Sequence, residues 1–163
     1  MSYSEKIIPE HIIKRKRFLF FFFGDVVLIS LSVWLAFLLR FEGSIPEKYF
    51  SNGTITFFIF LVLGVTLAAF YLSRLYSFTW AYVSATEMVS LFRAAVLSFL
   101  VVSIVLLVLR EEEVFLGFPR STLFVSYFLI FIFTGAVRFA KRVYLELFLK
   151  KTKGAENTLI VGA

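Results

Sequence analysis

The sequence predicts an all-α membrane protein: a four-transmembrane-helix bundle with both termini on the cytoplasmic side. Three observations lead there. The chain is 60% hydrophobic and only 17% charged, against roughly a quarter charged in a soluble domain. Its apolar residues gather into four stretches, and inside lipid a chain must satisfy its own backbone polar groups, so each stretch reads as a helix. Lysine and arginine are unevenly shared. Of the 17, 13 fall in the N-terminal tail, the second loop and the C-terminal segment, and four (Arg40, Lys48, Arg110, Arg120) in the other two loops. The positive-inside rule places the richer side in the cytoplasm.

Composition also narrows the function. With no cysteine, disulfide frameworks and thiolate metal sites are excluded. The single histidine, His11, sits beside a basic run in the tail and reads as a solvated residue. A net charge of +6 could signal nucleic acid, but the cations flank the apolar stretches and form no stripe among stacking aromatics. The lipid bilayer is the expected partner, and nucleic acid is not.

Residues 1–17 form a cytoplasmic basic tail in which Pro9 breaks helix, with Ile7, Ile8, Ile12 and Ile13 leaving room for a short interfacial helix. The first span, 18–39, has 22 residues and one charge, Asp25. At 1.5 Å per residue it reaches about 33 Å, enough for a hydrocarbon core of about 30 Å. It is too long for a signal-peptide core, and Leu39-Arg40-Phe41-Glu42 is no cleavage site. Gly43, Pro46 and Asn52-Gly53 make the first loop a turn region.

The second span, 54–73, carries Gly64 and Ala68 on one face, a small-residue spacing that lets helices approach closely. Packing within the bundle is the preferred use of that face; a homo-oligomer contact is the alternative. Tyr76, Trp80 and Tyr82 follow, amphipathic aromatics suited to the membrane–water boundary. Ser84 and Glu87 have capping-box spacing and start a third span, 85–109. Arg93, two turns in, has a stem long enough to snorkel to the headgroups. Pro119 opens the fourth span, 120–142, which continues as a cytoplasmic helix to about 151. Arg40 and Arg120 anchor the opposite boundary.

Residues 154–163 break the pattern. Thr158-Leu-Ile-Val-Gly162 reads as a linker leading into the first strand of a truncated nucleotide-binding domain of Rossmann type, with Gly162 opening a glycine-rich cofactor turn. A frayed tail reads equally well. No catalytic constellation can be assembled: none of the seven tyrosines has lysine four residues on, and there is no His–carboxylate pair or metal cluster. Asp25 needs the most explanation, since an unpaired carboxylate about 10 Å into a span costs several kcal/mol. Arg93 and Arg138, at comparable depth on the same side, are its expected partners in a buried ion pair. The competing use of Asp25 is as the coupling site of a small proton-coupled four-helix transporter.

Taken together, these residues resemble the N-terminal membrane domain of the membrane-bound nucleotide-sugar 4,6-dehydratase/epimerase family of bacterial polysaccharide biosynthesis. The resemblance spans essentially the whole chain. It rests on Asp25 with Leu35-Ala36-Phe37-Leu38-Leu39-Arg40-Phe41, Arg74-Leu75-Tyr76, and Trp80, Tyr82, Ser84 and Glu87. Pro119-Arg120-Ser121, Arg138 with Arg142, and Leu159-Ile-Val-Gly-Ala163 complete it. It implies an anchor in the bacterial inner membrane for cytoplasmic domains that dehydrate or epimerise UDP-N-acetylhexosamines with NAD(P). This chain would then hold no catalytic residue and no cofactor. Polyprenyl-linked glycan-assembly enzymes are the implied protein partners. A related family, the polytopic polyprenyl-phosphate sugar-1-phosphate transferases, begins in much the same way.

Overall fold

The computed structural model describes residues 10–76, 85–112, 115 and 117–152, with side-chain surroundings over 18–76, 88–112, 115, 117–140 and 143. In order come α1 (Glu10–Arg40), α2 (Lys48–Ser51), α3 (Thr54–Leu72), α4 (Ala85–Val108), a 3-10 turn (Leu109–Glu111) and α5 (Arg120–Thr152). No strand occurs among the described residues. Four segments are long and apolar enough to cross a membrane: Phe18–Arg40, Thr54–Leu72, Met88–Glu111 and Arg120–Ala140. Large apolar side chains such as Phe20, Leu72 and Val108 stand three-quarters exposed. A surface this apolar belongs in lipid.

The four long helices form an antiparallel ring in which α1 neighbours α3 and α5, and α4 neighbours the same two. The broadest contact is between α1 and α5, the first and last elements. One end of the bundle, here the terminal end, is where α1 enters and α5 leaves. The other, the loop end, is closed by the connections before α3 and α5. Between them the core is Ile29, Val33, Phe58, Val62, Leu91, Val102 and Ile130, all fully buried. Small polar residues share this interior: the buried Thr122 hydroxyl finds no partner among the described residues, whereas Ser32, Ser126 and Thr134 each donate to the carbonyl four residues back, at 2.6–2.7 Å. Such back-bonding satisfies a hydroxyl where no water is at hand.

The loop end is an aromatic plug. Phe37 lies at its centre, with the rings of Phe58, Phe118, Tyr49 and Phe41 5.9–6.4 Å away. Tyr49 comes from α2, a single turn that the predicted loop of turn residues did not foreshadow. Its hydroxyl donates to the Gly117 carbonyl at 3.0 Å, tying the first loop to the last. The basic tail also differs from expectation. Past Pro9 nothing breaks the helix, so α1 starts at Glu10 and runs unbroken into the span.

Gly64 and Ala68 are exposed, and a Cβ added at Gly64 would meet nothing within 4 Å. This corrects the expectation that their face packs within the bundle. The α3 face turned inward is instead Ile55, Phe58, Val62, Thr66, Ala69 and Phe70.

Helices α1 and α3 stop in the same way. Gly43 N–H donates to the Leu38 carbonyl at 2.8 Å around Glu42 at φ 51°, and Leu75 N–H donates to Phe70 at 3.1 Å around Arg74 at φ 53°. Such a closure needs a left-handed residue just past the helix and usually takes glycine there. Glu42 is exposed, so Glu42→Gly is expected to raise stability by about 1 kcal/mol by removing the Cβ clash. The check is the thermal unfolding midpoint in detergent; a lower midpoint would mean that the glutamate side chain contributes more than its backbone strain costs.

Candidate functional site

One buried polar cluster stands out at the terminal end. Asp25 on α1 is 3% exposed and Arg138 on α5 is 6% exposed, values that leave neither charge any solvent to lean on. The Arg138 guanidinium grips the carboxylate with both nitrogens, Nη2 donating to Oδ2 at 2.9 Å and Nη1 to Oδ1 at 3.3 Å. This fork-to-carboxylate geometry is the strong form of an ion pair. Tyr76, in the turn after α3, donates its hydroxyl to Oδ2 at 3.0 Å. Arg138 Nη1 also donates to the Thr134 carbonyl at 3.3 Å, so it spends no donor against bare hydrocarbon there.

Aromatic rings wall the cluster off. The Arg138 guanidinium carbon lies 5.4 Å from the centre of the Phe70 ring, close enough for a cation–π contact. Phe18 meets the Tyr76 ring edge-on at 5.3 Å, with Phe22 at 6.3 Å. Burial pushes the Tyr76 hydroxyl up from its usual range, the nearby Asp25 charge and hydrogen bond add to this, and Arg138 opposes it. The folded protein therefore holds that proton more tightly than the unfolded chain does. The resulting stability is complete below the ordinary tyrosine value of about 10 and drains away as pH rises beyond it.

The arrangement ties three segments (α1, the turn after α3, and α5) at one point. Both Asp25 oxygens are occupied by donors, which suits a clamp. Among the described residues, no group of three or more histidine or carboxylate side chains converges.

One expectation needs correction here, and one residue gains a partner. Arg93 is exposed on α4 and makes no ion pair among the described residues, so it is not the Asp25 partner. The helix phase explains this: α4 turns Leu91, Ala94, Ala95, Ser98 and Val102 inward, and position 93 falls off that face. Tyr76, expected as an interfacial aromatic, is buried against the bundle at 9% exposure. The left-handed turn at Arg74 swings the chain back over the bundle and carries its hydroxyl to Asp25. Its role as a third member of the cluster was missed. The only signal for it was a tyrosine close behind a span whose neighbour carries a buried acid.

The remaining predicted residues divide in two. Arg40 and Arg120 are exposed at the loop end. Helix α4 does begin at Ala85, but Trp80, Tyr82, Ser84, the Glu87 side chain and Gly162 lie outside the described residues and side chains.

Fold and site together define a polytopic four-helix membrane domain whose entering and leaving helices are locked by a buried ion pair. The chain is similar to the capsular polysaccharide biosynthesis protein CapD of Staphylococcus aureus, 28% identical over 150 residues. The match covers 90% of this chain and 23% of that protein, so the chain spans under a quarter of its relative's length. No family model matches the chain. No solved structure matches it.

Proposed function

We propose that this chain is the membrane anchor of a nucleotide-sugar 4,6-dehydratase or epimerase of bacterial polysaccharide biosynthesis. The observation that carries this reading is the asymmetric likeness: 90% of this chain is matched by 23% of a much longer biosynthetic protein. A piece of that size and composition is proportioned to hold an enzyme at the inner membrane. The catalytic body, with its NAD(P), would follow α5 on the cytoplasmic side, and residues 157–163 would be its first strand. The described residues contain no glycine-rich phosphate turn, so no step of that chemistry is assigned to them.

The clamp supports the same reading. A helix bearing a heavy soluble domain must resist being levered away from the bundle, and a forked ion pair between α1 and α5 resists that. Both oxygens of the Asp25 carboxylate already accept from Arg138 or Tyr76, the arrangement of a fixed structural tie.

The test compares the 163-residue chain with the protein made from its full reading frame. Each is purified and incubated with UDP-N-acetylglucosamine and NAD. Only the longer protein is expected to convert the sugar. Turnover by the 163-residue chain, or a downstream frame that lacks a dinucleotide-binding domain, would sink the proposal.

A further inference from the structure

We propose that the groove between the end of α4 and the start of α5 binds a bilayer lipid with a phosphate headgroup. The head would lie on Arg110 and Arg120, and the chain along the apolar wall below them. The inference does not depend on the enzyme assignment.

The groove lies at the loop end and encloses about 400 Å³. That falls within the usual range of small-molecule sites, roughly 300–1,000 Å³. Its chemistry is graded along its length. Arg110 and Arg120 stand at the mouth, while Leu106, Leu107, Leu123 and Phe124 form the walls. Ser103, at the foot, is seven residues from Arg110, about 10 Å down the helix. The arginines fall where the third span ends and the fourth begins, at headgroup level, and the walls fall within the spans. Cations above and hydrocarbon below is the mirror image of an anionic lipid.

Two further observations favour a lipid over a soluble anion. Leu107 and Phe124 are 56% and 63% exposed, so the groove opens sideways toward the acyl chains and not only upward to water. Guanidinium forks recognise phosphate by shape as well as charge. Acidic neighbours do exist. Glu111 approaches Arg110 Nε at 3.9 Å, but the two side chains are 88% and 63% exposed, and such a contact is weak and screened. Neither Glu111 nor Glu112 lines the groove. The loop-side lining is well fixed: Gly117 and Phe118 belong to it, and both are held by the aromatic plug, Gly117 through Tyr49.

The experiment uses the purified chain in nanodiscs of dioleoyl phosphatidylcholine doped with dioleoyl phosphatidic acid. Lipid retained through delipidating detergent exchange is measured by native mass spectrometry. Phosphatidic acid should be retained in preference to phosphatidylcholine. Arg110→Gln and Arg120→Gln should each weaken retention about fivefold, since each removes one cation near the surface. Ser103→Phe, which fills the foot of the groove and keeps both charges, should also displace the lipid. Arg40→Gln, at the same end but outside the groove, should change nothing. The proposal fails if Arg40→Gln weakens retention as much as the groove variants, which would mark diffuse surface charge. It fails equally if Ser103→Phe has no effect, or if inorganic phosphate displaces the lipid at comparable concentration, which would mark a soluble-anion site.

Discussion

Replacing Asp25 with leucine is expected to cost the bundle about 3–5 kcal/mol, because it strands the Arg138 charge in a site from which water is excluded. Arg138→Met should cost a similar amount by stranding the carboxylate. The double variant Asp25→Leu/Arg138→Met should recover most of the loss, since a buried pair exchanged for well-packed apolar groups is often neutral. Tyr76→Phe removes one hydrogen bond to a charged group and should cost about 1.5–3 kcal/mol. Denaturation in mixed micelles, analysed as a double-mutant cycle, measures these terms. Arg93→Gln is the internal control and should stay within about 0.5 kcal/mol of the parent. If Asp25→Leu and Arg138→Met simply add, the two side chains are not coupled and the clamp does not exist.

Phe37→Ala should be the most damaging change at the other end, at about 3 kcal/mol. Phe37 is fully buried among four aromatic rings. In lipid little hydrophobic drive holds helices together, so packing contacts carry their association, and an empty ring-sized hole forfeits many at once. Phe37→Leu, which refills most of the volume, should cost under about 1.5 kcal/mol. Phe20→Ala offers the contrast, because Phe20 is 75% exposed to lipid and packs little. The same denaturation assay separates them. Equal losses for Phe37→Ala and Phe20→Ala would mean that the plug does not hold the loop end together.

The spans were legible because lipid leaves a chain few choices. A long uncharged run must be helical, and the structure places α3, α4 and α5 within a few residues of the expected positions. What surrounds Asp25 was legible only in part. Depth along the helix admitted Arg93 and Arg138 equally, and depth was the coordinate used. Rotational phase separates them: Arg138 continues the series Ser126, Ile130, Thr134 at four-residue spacing, the buried face of α5, whereas Arg93 lies off the Ala94–Ser98 face of α4. Polar residues repeating every four positions in a span are a readable sign of the inward face. Tyr76 was harder, because its placement depends on a left-handed turn at a non-glycine residue that composition does not announce. Helix α2 was hidden for a similar reason: its single turn gains its stability from Tyr49 reaching 68 positions along the chain to Gly117.

Helix α5 runs without a break from Arg120 to Thr152, twelve residues beyond the apolar stretch that ends at Ala140. An unbroken helix transmits angle as well as distance, advancing about 100° and 1.5 Å with each residue. Gripped partway along through Arg138, this one works as a keyed driveshaft. Inserting one residue in the shaft would turn whatever follows by more than a quarter revolution; inserting seven would raise it about 10 Å and leave its heading almost unchanged. If α5 carries the proposed catalytic body, the bearing of that body is written in the length of the shaft.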